Sequence, residues 1–243
     1  MAEVISGNVN KEEFREKANV VVDGITGNPV SDAEVSIPTE GIFTKTNNYG
    51  EFKLDASLKS PVILSVKANG YQPFSLTINE SKSKNPLIIV ITKLFGNETI
   101  IDNEVHHLGD NKFSASSANA KDFNLKAHEP YFFKEFFVET LDSKDKAVLK
   151  IGSIIGLDTE IAKKLGQSNI TISSSTPTNV YLNSQKIGEI KINGDNQEIR
   201  LPKNILRPNS YNTLKIETGI NQQTTSYTDY DDMEFMNLLM VVK

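Results

Sequence analysis

The sequence has neither cysteine nor tryptophan, and each absence closes off some chemistry. Without cysteine there is no disulfide framework, no thiolate metal site and no cysteine nucleophile. Such a composition suits a reducing cytosol, and many bacterial surface proteins and virus particles manage without cysteine too. Without tryptophan, the favoured stacking partner of a sugar ring is missing. Long apolar runs are missing as well. None is longer than residues 87–91, a strand-sized run, far short of the ~20 residues that carry a helix across a bilayer. Residues 1–17 show no basic-then-apolar leader, so the chain is expected to be made in the cytoplasm without a cleaved signal. Acidic residues outnumber basic ones 31 to 26, for a net charge of −5. Phosphate binding needs concentrated Lys and Arg, and no basic stripe with interleaved aromatics occurs. Nucleic-acid binding and membrane insertion are therefore set aside.

Catalytic signatures are equally scarce. There is no G-x-S-x-G nucleophile motif, no H-E-x-x-H zinc pair and no glycine-rich phosphate loop. His106 and His107 are neighbours, and adjacent side chains on a strand point to opposite faces. One is expected to pack or hydrogen-bond and the other to be solvated, while His128 stands alone. Glycoside hydrolysis needs two carboxyl groups ~5–10 Å apart. With 31 acidic residues some pair always meets that distance, and no local context marks one. The expectation is a non-enzyme that requires no cofactor.

What the chain does contain is β-sheet. Its 243 residues exceed the usual single domain, so two are expected. Helical periodicity is confined to residues 11–17 and 159–165, the latter with Asp158 or Thr159 as N-cap and Gly166 to end it. The rest reads as short β-rich runs broken by Gly, Pro, Asn and Asp. In the first half the runs are 20–22, 33–37, 43–46, 52–54, 61–68, 74–78 and 87–92, and seven at this spacing indicate a sandwich. In the second they are 131–139, 146–151, 170–173, 179–182, 189–192, 197–201, 213–218 and 234–242. Phe132, Phe133, Phe136 and Phe137 alternate, so the run is expected to send rings both into the core and onto a partner-facing surface. The fold class expected is all-β, as two consecutive antiparallel β-sandwiches. The expected boundaries are an arm at 1–18, a sandwich at 19–95, a linker at 96–101 and a second sandwich at 102–243.

The order Gly24, Thr26-Gly27, Pro29-Val30, Ala33-Glu34-Val35, Thr46, Gly50 to Phe52 and Gly70-Tyr71 resembles the carboxypeptidase regulatory-like domain. That resemblance implies an immunoglobulin-topology, transthyretin-like sandwich serving as a spacer or adhesion module, and it implies no peptidase chemistry. In the second half, Val180-Tyr181-Leu182-Asn183 followed by Ile187-Gly188, and the segment from Asn212 to Ile216, resemble the galactose-binding-like jelly roll shared by many carbohydrate-binding modules. Asp231-Asp232-Met233-Glu234-Phe235, entering the last strand, adds to that likeness.

Two candidate sites follow. The first and last strands of a jelly roll often lie side by side, which would bring Asp232 and Glu234 near Asp102, Glu104 or His107. Asp102, Glu104, Asp231, Asp232 and Glu234 are thus candidate ligands for a structural Ca²⁺, an ion that takes six to eight oxygens at ~2.3–2.6 Å. A sugar needs a ring to stack on and polar groups for its hydroxyls. The loop candidates are Tyr211 beside Arg207 and Asn209, and Tyr227 and Tyr230. The function expected is a structural or binding protein, most concretely a virion component such as a phage tail, baseplate or head-decoration protein. Its partners would be other structural proteins of the assembly, a cell-surface polysaccharide or further copies of itself. The alternative is a carbohydrate-binding adhesion module of a secreted bacterial protein or glycoside hydrolase. The location expected is a virion or an extracellular surface.

Overall fold

The computed structural model describes residues 18–54, 61–79, 86–110, 123–142, 146–170 and 173–243. The helix expected at 11–17, and the arm up to residue 17, lie outside the described residues. The chain divides into two units, Met1–Phe95 and Gly96–Lys243.

The first unit holds β1 (Asn19–Asp23), β2 (Glu34–Ile37), β3 (Ile42–Lys45), β4 (Glu51–Phe52), β5 (Val62–Lys67), β6 (Phe74–Ile78) and β7 (Ile88–Ile91). They form two sheets, ordered β4-β1-β7 and β3-β2-β5-β6. Val21, Phe52, Ile89 and Ile91 from the first sheet and Val35, Ile37, Leu64 and Ile78 from the second share one core. One pair departs from the antiparallel expectation, because β1 and β7 run parallel. A parallel pair needs a crossover of a dozen or more residues, and the five strands between β1 and β7 provide it.

Buried polar groups fix the turns of this unit. Asp23 accepts hydrogen bonds from the N–H groups of Ile25 (2.9 Å) and Thr26 (2.8 Å) and from the Tyr71 hydroxyl (2.7 Å). The Thr26 N–H and the Tyr71 hydroxyl hold the Asp23 carboxyl far below the ordinary range. Burial, together with Asp23, pushes the Tyr71 phenol up to about 12. The Thr46 hydroxyl accepts from the Ala33 N–H (2.8 Å) and donates to the Val30 carbonyl (2.7 Å). The turn residues legible in the sequence are thus a hydrogen-bonded frame for the core.

The second unit comprises β8 (Glu98–Leu108), β9 (Tyr131–Val138), β10 (Ala147–Ile155), α1 (Glu160–Lys164), β11 (Thr178–Leu182), β12 (Gln185–Ile190), β13 (Gly194–Leu201), β14 (Ser210–Glu217), β15 (Ile220–Gln223), β16 (Thr228–Tyr230) and β17 (Met233–Val242). Its two large sheets are β13-β10-β17-β8 and β12-β11-β14-β9, antiparallel throughout. Apart from the β15–β16 hairpin, the strand order is that of an eight-stranded jelly roll. Phe132, Phe136, Val180, Leu214 and Ile216 face Leu149, Ile151, Phe235 and Leu238 in one core. The Thr159 hydroxyl caps α1 by accepting from the Ala162 N–H at 3.1 Å, as its sequence position implies. Residues 98–101, expected as linker, are instead the first residues of β8. The strand expected at 170–173 falls partly outside the described residues.

Candidate functional site

The first and last strands of the second unit do lie side by side, with β8 against β17. Register, however, splits the five carboxylates expected to meet. Glu234 stands opposite His107 and Asp102 opposite Leu238. Asp102 is five residues from His107, roughly 16 Å along an extended strand. Its carboxylate is engaged elsewhere, by the His106 Nε2 at 2.8 Å and the Lys134 ammonium at 2.9 Å. Burial opposes its charge, but the His106 ring, Lys134 and the Glu104 N–H outweigh that and hold it far below the ordinary range. Since β8 and β9 are edge strands of opposite sheets, Asp102 and Lys134 close one open side of the sandwich. An inward-turned lysine also guards an edge strand against stray pairing.

Asp231, Asp232 and Glu234 lie with Asp158 and Asp229 in the interior, all of them buried. Hydrogen bonds there tie loops together. Asp231 Oδ2 accepts from the Ser175 hydroxyl (2.7 Å) and the Asp158 N–H (3.2 Å), and its carbonyl accepts from the Thr218 hydroxyl at 2.7 Å. Asp232 Oδ1 lies 3.1 Å from His107 Nε2, while His107 Nδ1 bonds the Leu125 carbonyl. Gly109 and Gly156 both have positive φ, and a Cβ at either would collide with Asp232. Among the described residues no group of three or more His, Asp or Glu is placed to hold a metal ion. Register thus sets Asp102 apart from Asp231, Asp232 and Glu234, and the five expected ligands, Glu104 included, do not gather as one set. The two histidines point apart as expected, but neither is simply solvated. His106 packs on Phe132 and Phe235, and His107 on Phe123.

Burial, followed by the neighbouring Asp158 carboxyl, raises Asp231 well above the usual carboxylate value. A carboxyl raised on folding penalises its charged form, so the penalty is absent below the unfolded value near ~3.9 and grows as pH rises toward the folded one. Asp231→Asn removes it. The melting temperature of the variant relative to the parent is expected to climb between pH 4 and pH 7, and equal differences at both values would refute the buried-acid account.

The loop residues expected to hold a sugar also separate. Arg207, Asn209 and Tyr211 lie at the entry to β14, where Asn209 Oδ1 accepts from the Thr140 hydroxyl at 3.0 Å. Tyr227 and Tyr230 belong to the hairpin beyond the far end of β14, with the Tyr227 hydroxyl on Gln222 at 3.3 Å. From Tyr211 to Glu217 alone is roughly 20 Å of extended strand. These are two places.

Tyr211 instead joins a face that the loops did not suggest. On β9 the side chains of Phe132, Phe136 and Val138 go into the core, whereas Tyr131, Phe133, Glu135 and Phe137 are exposed. Register sets Tyr131 opposite Glu217, Phe133 opposite Lys215, Glu135 opposite Thr213 and Phe137 opposite Tyr211. On the next strand Tyr181 stands opposite Lys215. The outer face of this sheet therefore carries five rings. Tyr131 and Phe133 meet edge-on with centroids 5.4 Å apart, and Phe137 and Tyr211 do so at 5.3 Å. Exposure is 55% for Phe133 and 65% for Tyr211.

No family model matches the chain, and no curated protein matches it. Among solved structures it is similar to a β-D-glucuronidase from Dictyoglomus thermophilum, at 10% identity over 61% of this chain and 29% of that one, with a TM-score of 0.31. It is also similar to BuGH86wt in complex with neoagarooctaose, at 10% identity over 78% of this chain and 28% of that one, again with a TM-score of 0.31. The chain thus spans less than a third of either protein. Likeness at that TM-score has no bearing on what the aromatic face does.

Lys215 gives the face its polar centre. Its ammonium lies 5.5, 5.6 and 5.3 Å from the ring centroids of Tyr131, Phe133 and Tyr181, within range of a cation–π attraction. Glu217 pairs with it at 3.1 Å. At the sheet's other edge Lys186 and Lys191 both pair with Glu189 and hold it down to about 2. The alternation of Phe132 to Phe137 was legible in the sequence. Tyr181 and Lys215 were not, because only register brings them beside it.

Proposed function

We propose that the chain is a non-catalytic binding protein whose second unit holds a polysaccharide on the outer face of the β12-β11-β14-β9 sheet. The observation behind this reading is the make-up of that face. Tyr131, Phe133, Phe137, Tyr181 and Tyr211 supply rings, Glu135, Thr213, Lys215 and Glu217 supply hydrogen-bonding groups between them, and the strand positions of β9, β14 and β11 on this face include no aliphatic side chain. A protein partner favours a different surface, since the centre of such an interface is depleted of charge and buries its apolar groups together. A sugar offers apolar C–H faces for rings and hydroxyls for the groups between them. Exposed apolar patches rimmed by polar groups mark interaction sites. Among the described residues no helix is long and apolar enough to cross a membrane. A module of this kind serves a virion appendage and a secreted bacterial protein alike, and a cell-surface polysaccharide is the partner common to both.

Affinity electrophoresis through gels containing soluble xyloglucan, galactomannan, laminarin or mannan tests the reading. At least one should retard the chain, and Phe133→Ala should weaken that binding about tenfold, the effect of ~1.4 kcal/mol. A chain that runs unretarded in all of them would have no glycan platform.

A further inference from the structure

We infer that this face takes an uncharged, linear glycan laid along β9 and β14, and that Glu135 sets the preference for uncharged chains. The inference rests on the reading of the face as a glycan platform and adds to it the shape and charge of the ligand. Shape follows from how the rings are spaced. The Tyr131–Phe133 pair and the Phe137–Tyr211 pair are separate stacks, because the row between them is Glu135 opposite Thr213. Phe133 and Phe137 are four residues apart on one strand, which is roughly 13 Å. A single sugar ring covers one stack only, whereas a chain running parallel to the strands reaches both. A chain laid across the strands would meet Tyr181 and then the Lys186–Glu189 pair, and it would leave Phe137 and Tyr211 uncovered.

Charge follows from how the ionic groups are paired. Lys215 is held by Glu217, and Lys186 and Lys191 by Glu189. Lys134, which follows Phe133, turns to the other side of the sheet and binds Asp102. Glu135 is exposed and forms no ion pair among the described residues. A negative charge therefore stands midway between the two stacks, with no ion-pair partner among the described residues. An ionised carboxylate accepts several hydrogen bonds and donates none, which suits two neighbouring hydroxyls of one sugar. Toward a uronate or a sulfate it is repulsive, because those groups are negatively charged acceptors with no proton to donate to it.

Isothermal titration with the full chain, its Glu135→Gln and Glu135→Lys variants, and polymers of both kinds tests this. The probes are the neutral polysaccharides above, the oligosaccharides of whichever one binds, from disaccharide to hexasaccharide, and polygalacturonate. Affinity should rise about tenfold or more from the disaccharide to the hexasaccharide. Glu135→Gln should weaken neutral binding about fivefold, the scale of one hydrogen bond to a charged group. The parent chain should not bind polygalacturonate, and Glu135→Lys should begin to do so, with melting temperatures unchanged across the set. Equal affinity for disaccharide and hexasaccharide, or parent binding of polygalacturonate as tight as that of the neutral chain, overturns this inference and leaves the glycan platform standing. No binding of any glycan by the parent overturns both.

Discussion

Removing one ring from each stack, with Phe133→Ala and Tyr211→Ala together, lowers affinity for the bound polysaccharide about 100-fold. Each truncation is expected to cost about tenfold on its own, the scale at which exposed anchor residues count in binding. The two stacks are roughly 13 Å apart, and substitutions more than about 7–10 Å apart without shared partners add in free energy. The double variant should therefore show the product of the two single effects. Stability is the control. Both side chains are exposed, and surface substitutions of this kind change stability by about 0.5 kcal/mol or less. Measured by titration calorimetry beside a melting curve, a double variant that keeps its affinity within about threefold would move the ligand off this face.

The second large effect lies on the opposite side of the same sandwich. Phe235 is fully buried on β17, and its ring contacts Phe132 at 5.3 Å and His106 at 5.2 Å between centroids. Phe235→Ala should destabilise the second unit by about 3–5 kcal/mol, since the lost transfer free energy is compounded by a cavity that the surrounding strands cannot close. For a unit of this size that lowers the melting temperature by on the order of 10 °C. The His106–Asp102–Lys134 closure sits beside that cavity, so the variant also loosens the edge between β8 and β9. Differential scanning calorimetry reads the change directly. A loss under about 1 kcal/mol would mean that Phe132 and His106 refill the space. Phe132 and Phe133 are adjacent in sequence, yet truncating the first belongs with this core effect and truncating the second with binding.

That contrast marks how far the sequence was legible. The period-two alternation of 131–138 shows which rings go in and which go out, because side-chain direction in a strand is a local property. The cap of α1, the turns of the first unit and all seven of its strands were legible for the same reason. β8 was not. Ile101 and Leu108 are buried among Asp102, Asn103, Glu104, His106 and His107, and shifts of register interrupt its pairing with β17, so no alternation survives to be read. How the carboxylates group was not legible either. Adjacency of the first and last strands was right, but register set Asp102 against Leu238 and turned it toward Lys134.

By itself, then, the sequence determined the all-β class, the two units, most strand positions and the outward-facing rings of β9. These depend on burial patterns and turn chemistry within a few residues of each other. Only the tertiary structure decided that β14 and β11 flank β9, that Lys215 and Tyr181 complete its face, and that the acidic residues near the chain's end are interior ties. Pairing between strands some 80 residues apart is a choice among many hydrogen-bond ladders of nearly equal local merit, and what selects one of them is the shared core that all the strands close together.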